Sequence, residues 1–212
     1  TSRELIAGHN WAESGEWVEK RQYPLTRGIR NRTVGILGLG RIGKTLADIL
    51  QPFGPRILYS GRSKQDVPFE YFADPVEMAQ EADVVFVITP LTEATHHIVS
   101  TEMLNALGPE GILVNIARGP VVDEAALVSA LEEGRLGGAG LDVFENEPHV
   151  SEGLKGRRNV VLAPHIASAT IETRDAMGAL VCRNLISFAK DRTVLSPIPE
   201  TRHLATLSDE PI

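Results

Sequence analysis

The hydrophobic and polar positions of the chain alternate between short apolar runs and amphipathic stretches. Six runs are rich in apolar or β-branched residues and show little polar alternation, which is typical of strands that are covered on both faces. We therefore predict strands at Thr33–Leu37, Arg56–Ser60, Asp83–Ile88, Gly111–Ile116, Gly138–Val143 and Asn159–Ala163.

The stretches between these runs have helical patterning. Helices are predicted at Lys44–Leu50, Pro75–Gln80, Thr101–Leu107 and Glu124–Glu133. Alternating strands and helices predict an α/β fold, a doubly wound parallel sheet of the Rossmann type with six or more strands. Glu4–Lys20 and Ile171–Lys190 each read as one long helix outside this repeat, and Val194–Ile212 reads as an extended, weakly ordered segment.

A glycine-rich turn follows the first predicted strand. Gly38, Gly40 and Gly43, with Arg41 and Ile42 between the last two, form the pattern G-x-G-x-x-G between a strand and a helix. The first glycine permits the tight turn, the second lets a pyrophosphate approach the backbone, and the third lets the helix pack on the strand. This position predicts a dinucleotide site, with the phosphates at the start of the helix.

The end of the second strand indicates which dinucleotide binds. NAD sites commonly place an acidic residue about 20 residues after the glycine turn, where it binds the adenosine ribose. Here Arg62 stands in that region, with Ser60, Ser63 and Lys64 beside it, and the next acidic residue is Asp66. Because an arginine can bind a 2′-phosphate that a carboxylate would repel, we predict NADPH, with NADH as the alternative.

Three polar residues follow the last three strands, at the sheet edge where doubly wound folds bind ligands. They are Arg118, Glu147 and His165. One cation, one carboxylate and one imidazole are thus expected beside a nicotinamide. Alone, each reads as an ordinary surface or structural residue, and only their joint placement favours a catalytic site.

Five segments in order carry a family resemblance. The chain reads GLGRIG, QPFGPRILYSGRS, NIARG, LDVFENEP and PHIASAT. This set resembles the D-isomer-specific 2-hydroxyacid dehydrogenases, and especially their glyoxylate/hydroxypyruvate reductase branch. The resemblance implies reduction of a small 2-oxo acid to a D-2-hydroxy acid by a homodimer. It implies that Arg118 binds the substrate, that His165 protonates the carbonyl oxygen, and that Glu147 hydrogen-bonds the imidazole. Further cofactor contacts are implied at Pro90, Leu91, Ile116, Ala117, Asp142, Ala167 and Ser168.

The same resemblance implies the domain organisation. Residues 1–20 would form an interdomain helix, residues 21–170 the dinucleotide-binding domain, and residues 171–212 a crossing helix with a return to a mostly missing substrate domain. We therefore expect a fragment that binds NADPH and turns over weakly or not at all. Two alternatives stay open: a non-catalytic dinucleotide-sensing interaction protein on the same scaffold, and a formate dehydrogenase-like enzyme. The latter is disfavoured by Ala163-Pro164 before His165.

Composition excludes other classes of function. With 21 basic and 28 acidic residues the net charge is −7, which disfavours binding to nucleic acid. No run approaches 18 apolar residues, so no membrane span is predicted, and a cytoplasmic location is expected with an organelle left open.

His96 and His97 are predicted to point in different directions without a carboxylate partner, so no metal site is expected. The single cysteine, Cys182, is expected to pack within a helix.

Overall fold

The computed structural model describes residues 1–198 and residue 202. Its backbone contacts divide the chain into two compact units, one from Thr1 to Pro164 and one that begins at His165. In chain order the first unit contains α1 (Leu5–Glu13), α2 (Glu16–Lys20), β1 (Thr33–Leu37), α3 (Arg41–Leu50), β2 (Arg56–Ser60), β3 (Glu70–Phe72), α4 (Pro75–Glu81), β4 (Val84–Val87), α5 (Thr101–Leu107), β5 (Ile112–Asn115), α6 (Glu124–Glu132), β6 (Gly138–Leu141) and β7 (Val160–Leu162).

The strands form one parallel sheet in the order β3-β2-β1-β4-β5-β6-β7. The chain runs outward from β1 to β3 and then crosses back to β4 on the other side of β1. This reversal creates a topological switch point between β1 and β4, where the carboxyl ends of the strands leave a crevice. The predicted doubly wound sheet is confirmed. The structure adds β3, a three-residue edge strand that the sequence pattern did not predict.

Hydrophobic cores cover both faces of the sheet because side chains alternate along each strand. On β1, Val34 and Ile36 join one buried cluster and Leu37 joins the other. Gly35 faces the same side as Leu37, and a Cβ atom there would lie 3.3 Å from the end of Met78. The missing side chain thus makes room for α4 to pack closely against β1.

The first helical segment differs from the prediction. Glu4–Lys20 is two helices, α1 and α2, rather than one, because Gly15 adopts a left-handed conformation with φ 81° between them. A left-handed residue cannot continue an α-helix, and glycine adopts this conformation without steric cost. The one-helix prediction is therefore wrong at Ser14 and Gly15.

The second unit contains one long helix, α7 (Ile171–Asp191), which confirms the predicted helix Ile171–Lys190 to within one residue. The Thr170 hydroxyl caps its start by accepting the backbone N–H of Thr173 at 3.2 Å. No residue of α7 is buried, and Cys182 is exposed, so the expectation that this thiol packs is wrong. The predicted extended segment is described only up to Ile198 and at Arg202; its remaining residues lie outside the described part.

Within the described residues, no helix is both long enough and apolar enough to cross a bilayer.

Candidate cofactor and substrate site

The glycine turn lies at the switch point of the sheet. Gly38 follows β1 with φ 102°, and its N–H donates to the carbonyl of Ser60 at 2.9 Å. A Cβ atom at Gly38 would lie 2.7 Å from the backbone nitrogen of Thr89, which follows β4. Only glycine fits this contact and this φ, so the turn is held against the ends of both neighbouring strands.

The other two glycines differ in their surroundings. A Cβ atom at Gly43 would lie 2.6 Å from the carbonyl oxygen of Gly38, which keeps α3 close to the turn. Gly40 caps the start of α3, and a Cβ atom there would meet nothing within 4 Å. The turn is therefore tightly packed at its ends and open in its middle, where a pyrophosphate would approach the helix start. Arg41 and Ile42 are exposed in the first turn of α3.

A cleft of about 350 Å³ opens beside this turn. It is formed by the glycine turn, the loop after β2 and the segment after β4. It is lined by Gly38, Leu39, Gly40, Gly61, Arg62, Ser63, Gln65, Ile88, Thr89, Pro90, Thr92 and Thr95. Of the cofactor residues expected from sequence, Gly38, Gly40, Arg62, Ser63 and Pro90 line the cleft. Its size and position suit the adenosine side of a dinucleotide.

The loop after β2 is tied to the glycine turn. The Gln65 side chain donates to the carbonyl of Leu39 at 2.8 Å, and its backbone N–H donates to the Tyr59 hydroxyl at 2.7 Å. The Tyr71 hydroxyl donates to the carbonyl of Gly61 at 3.2 Å. These bonds fix the loop on either side of Arg62. No motif marks Gln65 in the sequence, and only the structure reveals its role.

The cationic and hydroxyl side chains of this loop differ in exposure. Arg62, Ser63 and Lys64 are exposed, and the described part of the chain contains no ion pair to Arg62 or Lys64. Ser60, by contrast, is only 2% exposed at the end of β2. The exposed guanidinium and ammonium groups are therefore available to a phosphate from solvent.

Two threonines shape the segment after β4. The Thr95 hydroxyl donates to the carbonyl of Pro90 at 2.7 Å and accepts the backbone N–H of Thr92 at 2.7 Å. This capping box orders the chain where it lines the cleft. The spacing T-x-x-T was the available sequence signal for these two residues. Leu91, which was expected at the cofactor, is 41% exposed and does not line this cleft.

A buried asparagine shapes the segment that carries Arg118. Asn115, the last residue of β5, is 1% exposed. Its side-chain oxygen accepts the N–H of Ala117 at 3.0 Å, and its side-chain nitrogen donates to the carbonyl of Arg118 at 3.1 Å. Arg118 is exposed, and its guanidinium donates to the carbonyl of Ala117 at 2.6 Å. The neighbouring Ile116 is 36% exposed. Sequence reasoning missed this role of Asn115, although a polar residue ending an apolar strand was its signal.

The segments after β5 and β6 pack against each other. A Cβ atom at Gly119 would overlap the carbonyl group of Phe144, so only glycine fits this contact. The N–H of Phe144 donates to a carboxylate oxygen of Glu147 at 3.0 Å. Asp142 is 8% exposed, and its N–H donates to the carbonyl of Asn115 at 3.1 Å. The first unit thus brings the Arg118 segment together with the segment that carries Asp142 and Glu147.

The remaining predicted site residues belong to the second unit. His165 is its first residue and is exposed, with a left-handed backbone at φ 52°. Ala167 and Ser168 follow in the same exposed segment before α7. The proton-donor role of His165 stays a prediction.

The prediction that His96 and His97 point in different directions without a carboxylate partner is wrong. His96 and His97 lie with their ring centroids 4.0 Å apart, and Nε2 of His97 is 2.7 Å from a carboxylate oxygen of Glu145. The cause is the backbone of His97, whose left-handed φ of 53° brings two successive side chains to the same side of the turn. A regular strand would have separated them.

Comparison with known proteins identifies the family of this chain. The family model described as D-isomer specific 2-hydroxyacid dehydrogenase, NAD binding domain, matches residues 1–167. Glyoxylate/hydroxypyruvate reductase A from Arabidopsis thaliana is 47% identical over 92% of this chain and 63% of its own length. Glyoxylate reductase from Thermococcus onnurineus is 48% identical over 89% of this chain and 59% of its own length.

A solved structure has a similar level of sequence identity to this chain. The NADPH-dependent glyoxylate/hydroxypyruvate reductase of Sinorhizobium meliloti, in complex with NADP and malonate, superimposes with a TM-score of 0.89 at 46% identity. The match covers 94% of this chain and 63% of that one. The chain therefore spans about three-fifths of the length of the curated relatives. It belongs to the D-isomer specific 2-hydroxyacid dehydrogenase family, and it carries the NAD(P)-binding domain of that family.

Proposed function

We propose that this chain serves the NADPH-dependent reduction of small 2-oxo acids, such as glyoxylate and hydroxypyruvate, to D-2-hydroxy acids. The observation that carries the proposal is the cleft that joins the open glycine turn at Gly40 to the exposed guanidinium of Arg62. The family membership and the names of relatives at 47% and 48% identity support a reductase rather than a sensor or a formate dehydrogenase.

The preference for NADPH is argued from charge. Residues 60–65 contain no carboxylate, whereas Arg62 and Lys64 supply two cations and Ser63 a hydroxyl. A ribose 2′-phosphate would gain charge-assisted hydrogen bonds from these side chains, and a planar guanidinium can make two of them at once. A free 2′-hydroxyl would gain much less, so NADPH should bind more tightly than NADH.

The proposed chemistry uses three side chains of this chain. Arg118 would hold the carboxylate and carbonyl groups of the 2-oxo acid through its guanidinium fork. A bound reduced nicotinamide supplies the hydride for the carbonyl carbon of the substrate. His165 would donate the proton that the carbonyl oxygen takes up, which yields the 2-hydroxy acid. Glu147 would stabilise the protonated form of that imidazole.

A cofactor titration tests the preference. Binding of NADPH and NADH to the purified chain is followed by cofactor fluorescence, first for the unsubstituted chain and then for Arg62→Ala. Loss of one charge-assisted contact should weaken NADPH binding by roughly tenfold or more and leave NADH nearly unchanged. Arg30→Ala is the matched control, because Arg30 is an exposed arginine that precedes the amino end of β1. Equal NADPH affinity in Arg62→Ala would refute the preference.

A rate assay tests the reaction. The complete gene product should oxidise NADPH when glyoxylate or hydroxypyruvate is added, and His165→Ala should lose most of this turnover while NADPH still binds. We expect the 212 residues alone to bind NADPH and to turn over poorly. Cofactor binding without turnover in the complete gene product would instead favour a dinucleotide-sensing protein. The homodimer and the cytoplasmic location stay predictions. Light scattering after size exclusion would detect the dimer.

A further inference from the structure

Three metal-ligating side chains lie together outside the cofactor cleft. His96, His97 and Glu145 each offer one ligand atom, and these atoms lie within 4.8 Å of one another. We propose that this cluster, the His96–His97–Glu145 site, binds a divalent transition-metal ion, with Zn²⁺ as the ion that fits it best. The proposal is independent of the proposed reductase activity.

The donor set selects the class of ion. Imidazole nitrogens suit zinc, copper and nickel, whereas calcium and magnesium prefer sites built from oxygen atoms. Two histidines with one glutamate form a known zinc ligand set, in which a water molecule takes the fourth position. His96 is exposed, so solvent can reach that position, and the other two side chains are partly buried.

The geometry needs only small adjustments. Zinc bonds of about 2.1 Å in a tetrahedral arrangement separate the ligand atoms by about 3.4 Å. The pair His97 Nε2 and Glu145 Oε1, now 2.7 Å apart, must therefore open by a fraction of an ångström. In this pair the imidazole N–H donates to the carboxylate. Zinc would bind Nε2 of the neutral imidazole, so the Nε2 proton would transfer through solvent to Nδ1 of the same ring. The exposed side chain of His96 can rotate to close the longer separations.

Two of the three ligands are held in place by the backbone. The N–H of His97 donates to the carbonyl of Pro120 at 2.9 Å. The N–H of Glu145 donates to a carboxylate oxygen of Glu124 at 2.9 Å, and Glu124 is only 7% exposed. These bonds anchor His97 to the segment after β5 and Glu145 to the start of α6. The buried carboxylate of Glu124 also adds negative charge near the site, which favours a cation.

Metal binding should stabilise the folded chain. His96 and His97 lie between β4 and α5, and Glu145 follows β6, so the ion would join segments that are about 50 residues apart in sequence. The unfolded chain does not hold the three ligands together, and an ion that binds only the folded state raises the melting temperature. A rise of a few degrees at saturating Zn²⁺ is the expected shift.

The test is a calorimetric titration of the tag-free, chelator-treated chain with ZnCl₂. It uses the Cys182→Ser background, because an exposed thiol is itself a zinc ligand. One saturable ion per chain is expected, with at least a tenfold loss of affinity in His96→Ala. This variant is decisive because it leaves the hydrogen bond between His97 and Glu145 in place. Circular dichroism verifies that the variant is folded.

Two controls sharpen the result. His9→Ala removes an exposed histidine that lies 3.3 Å from Glu13 with no third ligand among the described residues, and the variant should bind zinc like the parent chain. MgCl₂ should give no heat of binding. The proposal is overturned if no saturable Zn²⁺ binding occurs, or if His96→Ala binds zinc as tightly as the parent chain.

Discussion

Replacing Asn115 by alanine should destabilise the chain through the segment that carries Arg118. The substitution leaves the N–H of Ala117 without its acceptor in a position that is 7% exposed, and an unsatisfied buried donor costs about 1–3 kcal/mol. The carbonyl of Arg118 also loses a donor but keeps the N–H of Val121 at 3.2 Å, so this loss adds about 1 kcal/mol. The expected total is about 3 kcal/mol.

Urea unfolding followed by far-ultraviolet circular dichroism measures this loss. With a slope of about 2 kcal/mol per molar urea, the midpoint of Asn115→Ala should fall by about 1.5 M. Asn10→Ala, at an exposed helical position, is the control and should change stability by less than about 0.5 kcal/mol. If the midpoint of Asn115→Ala stays within about 0.3 M of the parent, the two side-chain bonds do not support this segment.

Two other changes have defined outcomes. Gly43→Ala places a Cβ atom 2.6 Å from the carbonyl oxygen of Gly38 and should lower the stability of the fold by about 1–3 kcal/mol in thermal melts. The control Gly28→Ala places a Cβ atom that meets nothing within 4 Å, so its melting temperature should not change. The hydrogen bond from Arg135 lowers the pKa of the Glu133 carboxyl below its usual range. This carboxylate therefore stabilises the fold above its unfolded pKa and loses the effect as pH falls. The melting difference between the parent chain and Glu133→Gln should be largest near neutral pH and vanish in acid; a difference that grows in acid would contradict this sign.

Sequence patterns predicted the strands that consist of continuous apolar runs. The apolar runs at Thr33–Leu37 and Arg56–Ser60 match β1 and β2 residue for residue, because continuous β-branched and apolar runs mark buried parallel strands. The edge strand β3 has an exposed glutamate and two half-buried aromatic residues, so no such run exists. Its formation depends on pairing with β2, a contact that no local pattern contains.

Sequence patterns could suggest site residues only where residue type and spacing alone indicate the chemistry. Gly38, Gly40 and Gly43 could be assigned because a strand–turn–helix with this spacing leaves few other roles. The His96–His97–Glu145 site could not, because it depends on a single left-handed residue and on a partner 48 positions away in sequence. Backbone conformation at such a residue follows from the surrounding packing rather than from its own preference.

The sequence by itself determined the strand and helix alternation, the glycine turn and the absence of a carboxylate next to Arg62. These features rest on hydrophobic period, on the conformational freedom of glycine and on charge, all of which act over a few residues. Only the tertiary structure decided the strand order, the packing of Gly119 on Phe144 and the buried bonds of Asn115. Those features join residues from different crossovers, and their energy comes from contacts that form only when the whole sheet has assembled.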